Sequence, residues 1–118
     1  MQTDLQQKRL AYRTDLKNAL QRILTKLTSM PEVEKIILLG SYASGRSDLF
    51  TDLDLLVVME AQKEFVTRTA DLYRTLHAGV DLDLLVYTPQ EFEHQRQTPF
   101  IKHALMTGKV LYEKRRTS

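Results

Sequence analysis

TDLDLLVVM (residues 51–59) and VDLDLLVYT (residues 80–88) share the six letters DLDLLV. Each aliphatic run is short and bounded, as a strand entering a core should be. The aspartates at the head of each run need a separate reason, because a carboxylate is costly to bury unless something positive holds it. Alternate strand residues share a face. Asp52 and Asp54 therefore point one way, with Leu53, Leu55 and Val57 on the other side. Asp81 and Asp83 do likewise, opposite Leu82, Leu84 and Val86.

Between the two strings, residues 61–78 predict a helix with Phe65, Leu72, Tyr73 and Leu76 on its inner side, stopped by Gly79. Lys63 and Arg68 fall on what reads as a solvated face. Strand, helix, strand predicts a crossover between parallel strands, which places both aspartate pairs at one end of the sheet. Neighbouring strands lie ~4.8 Å apart, so the carboxylates can converge. Three of them stay ionised together only with a cation, and a hard ion such as Mg²⁺ or Mn²⁺ suits oxygen donors. A plainer reading competes: aspartate often opens a strand from a turn and faces solvent. That suits Asp52 beside Thr51, and Asp81 near Gly79. It suits Asp54 and Asp83 less well, since core-type residues follow each directly.

Upstream, VEKIILLG (33–40) predicts a strand that stops at glycine. Gly40 and Ser41 then open a turn-rich segment with one helical turn, where backbone N–H groups and the serine hydroxyl suit phosphate. If this strand runs antiparallel to the next, the turn sits beside the carboxylates. Gly40-Ser41, ten intervening residues and Asp52-Leu53-Asp54 form a specific combination. Mg²⁺ bridging a triphosphate to aspartates is what phosphoryl or nucleotidyl transfer requires.

The remaining pattern completes an α/β (α+β) chain. Residues 4–28 predict an amphipathic helix with Leu16, Leu20, Ile23, Leu24 and Leu27 in its stripe. TPQE (88–91) is a capping box with proline at the first helical position. A second Thr-Pro helix runs over 98–108, and KVLYE reads as a short edge strand. His77, His94 and His103 share no metal-ligand spacing and read as surface residues. Tyr42 reads as packing beside the turn.

The 118 residues suit one domain with a single core. A net charge of +2 is too small to argue for nucleic acid, and the basic tail at 114–118 reads as solvated. Without cysteine there is neither a disulfide framework nor a thiolate metal site. No signal peptide or membrane span is read, so the expected location is the cytoplasm.

LLGSYASGRSDLFTDLDLLVV (38–58) resembles the minimal nucleotidyltransferase (MNT) family of the DNA-polymerase-β-like superfamily. VDLDLLVYTPQEFE and FIKHALMTGKVLYE extend the likeness over about 33–113, the expected catalytic core. The resemblance implies a small mixed sheet flanked by helices, binding ATP and two Mg²⁺ ions (Mn²⁺ in their stead) at one edge. It implies that Gly40 and Ser41 hold the nucleotide phosphates, with Arg46 steadying the triphosphate. Asp52, Asp54 and Asp83 would be the catalytic metal ligands, with Asp81 an extra acid. Free-standing members resemble antitoxins that transfer AMP to a hydroxyl of a HEPN-domain toxin, in homo- or hetero-oligomers. Aminoglycoside-modifying relatives carry a further helical domain for which this chain has no room, so a protein acceptor is expected. Two alternatives stand beside this one: a module that masks its partner without catalysis, and a phosphoacceptor receiver. The receiver expects about five strand–helix units beginning with a strand, and this chain begins with a helix.

Overall fold

A computed structural model describes residues 3–43 and 52–115. Helix α1 spans Asp4–Thr28, followed by β1 (Val33–Leu39), the four-residue α2 (Gly40–Ala43), β2 (Leu53–Met59) and α3 (Phe65–Leu76). Then come β3 (Leu82–Tyr87), α4 (Pro89–Gln95), α5 (Pro99–Thr107) and β4 (Lys109–Glu113). The four strands form one mixed sheet in the order β3-β2-β1-β4. β2 and β3 run parallel, and β1 is antiparallel to both β2 and β4. The predicted crossover, antiparallel pair and edge strand are all present. The receiver alternative is excluded by this topology.

Helix α1 starts where Thr3 and Gln6 cap each other reciprocally. Leu16, Ala19, Ile23 and Leu27, spaced by one turn, bury its C-terminal half against Leu53, Leu55 and Val57 of β2 and Leu72 and Leu76 of α3. Lys26 fastens the same helix to α3 by donating to the Thr75 carbonyl, and Arg22 fastens it to the turn that follows by donating to the Ala78 carbonyl. The other sheet face carries Ile37, Leu39, Leu56 and Val58, covered by Phe92 of α4 and Ile101 of α5. β2 is thus buried on both faces, which is why its run is continuously apolar after Asp54.

Three local expectations need correction. Helix α3 begins four residues later than the pattern 61–78 suggests, and it ends at His77, which takes the left-handed conformation (φ 43°) ahead of Gly79. Phe65 and Tyr73 remain substantially exposed, and the buried stripe is Arg68, Leu72 and Leu76. Arg68 is not solvated: its guanidinium donates to the carbonyls of Val86 and Lys63 and pairs with Glu91. These partners explain the burial, since a sunken cation needs hydrogen bonds and a counter-charge. Glu91 meanwhile completes the expected capping box with Thr88. In the tail, Lys114 is tied back by donating to the Pro31 carbonyl.

Candidate active site

Three strand ends meet at one rim. Leu39, the last residue of β1, pairs with Asp54 of β2, and Asp54 pairs with Asp83 of β3. Both aspartates lie on the face shared with Leu56, Val58 and Leu85, the face that α5 covers. Asp83, rather than Asp81, is therefore the neighbour of Asp54. Asp81 is exposed one residue before the strand, where its carbonyl accepts from the Leu53 amide.

The pairing perturbs Asp54. Burial, then a hydrogen bond to Asp83, then the charges of Asp83 and Asp52 push its pKa from 3.8 up to about 6. Two carboxyls in this register cannot both ionise cheaply, so a proton on Asp54 is donated to Asp83. Asp52, half-buried just ahead of β2, is close enough for its charge to add to the effect.

Gly40 follows directly. Its φ of 75° lies in the left-handed region, and a Cβ there would fall inside the surface of Asp54 Oδ2 and 3.1 Å from its Cγ. Glycine is required twice over, by conformation and by space. Ser41 continues α2. Arg46 lies outside the described residues.

The rim opens into a cleft of about 810 Å³ whose floor includes Leu39, Gly40, Asp54, Asp83 and Leu85. Its wall is a stripe along α5: Phe100, His103, Ala104 and Thr107, at the i, i+3, i+4, i+7 spacing of one helical side. Sequence reasoning missed this wall and left His103 as a plain surface residue. Gly108 fixes its position, since a Cβ there would come within 2.9 Å of the Ala104 and Leu38 carbonyls, so α5 closes tightly onto the end of β1. On the outer edge of β3, the Tyr73 hydroxyl accepts from the Leu84 amide at 2.8 Å, next to Asp83.

Among the described residues, no three carboxylate or imidazole groups form a closed metal cage. A hard divalent ion bound with a phosphorylated substrate needs less: one or two carboxylates, with phosphates and water completing its shell. The Asp54–Asp83 pair is such a donor set, and its mutual repulsion is what a cation would relieve. None of the described helices is long and apolar enough to cross a membrane.

Residues 18–117 of the chain match the family "Polymerase beta, Nucleotidyltransferase". A candidate protein adenylyltransferase of Methanocaldococcus jannaschii is 31% identical over 80 residues, covering 68% of this chain and 79% of that protein. Among solved structures, a candidate nucleotidyltransferase from Sulfolobus solfataricus superposes with a TM-score of 0.55 at 14% identity, over 97% of this chain and 91% of its own. A toxin–antitoxin structure with AMP-PNP gives 0.55 at 22% identity, over 84% and 74% of the two chains. A tri-AMPylated Shewanella oneidensis HEPN toxin in complex with MNT antitoxin gives 0.51 at 20% identity, over 84% and 73%. With a family match across most of its length and a rim of paired carboxylates beside a sterically obligatory glycine, the chain belongs to the polymerase beta nucleotidyltransferase family.

Proposed function

We propose that this chain is an Mg²⁺-dependent adenylyltransferase that moves AMP from ATP to a hydroxyl of a protein, as the antitoxin partner of a HEPN-domain toxin in the cytoplasm. The adenylyltransferase relative supports a protein acceptor, and the MNT antitoxin complexes support the toxin as that protein. One observation carries the reading: Gly40 gives up its side chain where Asp54 and Asp83 come together. In this reading the chain acts as one domain, with the helix at 4–28, a catalytic core at 33–113 and a basic tail.

Gly40 and Ser41 would lie against the triphosphate, with the backbone close to its oxygens because no Cβ intervenes. Arg46 would add positive charge there. Asp52, Asp54 and Asp83 would hold the metal, which supplies charge neutralisation at the phosphates when bound. The acceptor oxygen attacks the α-phosphorus, a new P–O bond forms, the bond to the β-phosphate oxygen breaks, and pyrophosphate leaves. Asp83 is the more exposed of the paired carboxylates, and it takes the proton from the acceptor hydroxyl. Such base assistance is typically worth ~10²–10⁴-fold.

The decisive test incubates the chain with α-labelled ATP, Mg²⁺ and the product of the neighbouring gene. Label on the partner that vanishes with Asp52→Ala or Asp54→Ala is the expected result. No label, with neutralisation surviving Asp54→Ala, would instead establish the masking module.

A further inference from the structure

Phe100 is 74% exposed at the mouth of the carboxylate cleft, and neither the core nor the proposed chemistry uses it. Its helix packs onto the sheet through Ile101 and Leu105, away from the cleft wall, so the ring is not held out by a fault in packing. Gly108 anchors the C-terminal end of α5 beside Leu38 and Leu39, which places Thr107 near the Gly40 turn. Phe100 lies two turns away, roughly 10 Å along the helix axis. The stripe thus runs from the phosphate end of the cleft, past His103, to an open aromatic face. That is the layout of a nucleotide bound lengthwise.

From this arrangement we infer that Phe100 is the nucleobase platform, stacking the base of the bound nucleoside triphosphate while Gly40 lies against its phosphates and the aspartates hold the metal that would neutralise them. The inference rests on the nucleotide-transfer reading of the same rim. Stacking on an aromatic ring is strong and tolerant of sequence, because every base offers a π-face. Phe100 therefore sets affinity for a nucleoside as against a bare polyphosphate, and discriminates weakly between bases.

The test measures equilibrium binding of ATP, GTP and inorganic tripolyphosphate, each with Mg²⁺, to the full chain and to Phe100→Ala, Phe100→Tyr and Asp54→Asn. Phe100→Ala should weaken ATP and GTP alike, roughly ten- to a hundred-fold, and leave tripolyphosphate unchanged. Phe100→Tyr, which keeps the ring, should bind as the unaltered chain does. The inference is overturned alone if Phe100→Ala binds ATP normally while Asp54→Asn does not, which is also the outcome if the ring contacts the acceptor. Equal losses for ATP and tripolyphosphate would likewise overturn it. No metal-dependent binding by the unaltered chain would sink the underlying reading together with it.

Discussion

Asp54 and Asp83 face each other at the same register position of two parallel strands, and a hydrogen bond joins their carboxyls. The strain of this pair shows in the proton held by Asp54 up to a pH of about 6. A carboxyl whose pKa is raised on folding adds full stability below its unfolded value of 3.8 and loses it as pH climbs through about 6. Because the group is only half-buried, solvent screening leaves about 1 kcal/mol. Without metal, Asp54→Asn should be about that much more stable than the unaltered chain at pH 7.5 and equal to it at pH 3.5. Denaturant melts of both proteins at the two pH values measure the difference. A gap that is constant across pH would show that Asp54 does not titrate as described.

Gly40→Ala tests the other side of the same contact. The new methyl group would collide with Asp54 Oδ2 and would have to occupy a φ of 75°. Left-handed backbone costs a non-glycine residue roughly 1–2 kcal/mol, so the fold should survive with a modestly lower melting temperature. Nucleotidyl transfer should fall by at least about a hundred-fold, since a small displacement of positioning groups is enough for that. Folding and transfer assays on one preparation separate the two effects. A variant with normal transfer would remove Gly40 from the site.

Arg68 makes the opposite prediction: stability without chemistry. It is 7% exposed and serves Val86, Lys63 and Glu91 at the end of β3 remote from the aspartates. Arg68→Ala would leave two carbonyls and a carboxylate short of a partner, at about 2–3 kcal/mol. Arg68→Lys should recover little, because an ammonium lacks the planar fork that reaches three acceptors. Glu91, whose pKa is lowered chiefly by the Arg68 hydrogen bond, contributes stability above its unfolded value of 4.5 and loses it on acidification. Urea unfolding of the three proteins tests this, and transfer per folded molecule should not change.

The contrast between these residues marks what was legible in the chain. The capping box at Thr88, the break at Gly40 and the pairing of the duplicated DLDLLV strings rest on neighbours in sequence or on strand periodicity. All of them appear in the fold. Arg68 was misread because two of its three acceptors lie 18 and 23 residues further on, at Val86 and Glu91, and no local pattern links them. The α5 wall was missed for a similar reason. Helical periodicity marks the side of α5 that packs through Ile101, but only the tight seating of Gly108 on Leu38 decides that the stripe from Phe100 to Thr107 borders the carboxylates.

Tyr73 shows how an apparently misplaced aromatic shapes the rim. Its ring is 39% exposed, yet its hydroxyl accepts from the Leu84 amide on the open edge of β3, one residue beyond Asp83. An unpaired edge amide invites pairing with another strand, and the hydroxyl blocks that while fixing the strand's position. Tyr73→Phe should therefore cost about 1 kcal/mol, because water can replace part of the lost bond. The larger effect should fall on Asp83, whose backbone is then held only through β2. Transfer should slow several-fold even at saturating ATP, since Asp83 takes the acceptor proton in this mechanism. Steady-state kinetics on Tyr73→Phe, with ATP and acceptor varied separately, distinguish the cases: a defect confined to the KM for ATP would place Tyr73 at the nucleotide and remove it as a support for Asp83.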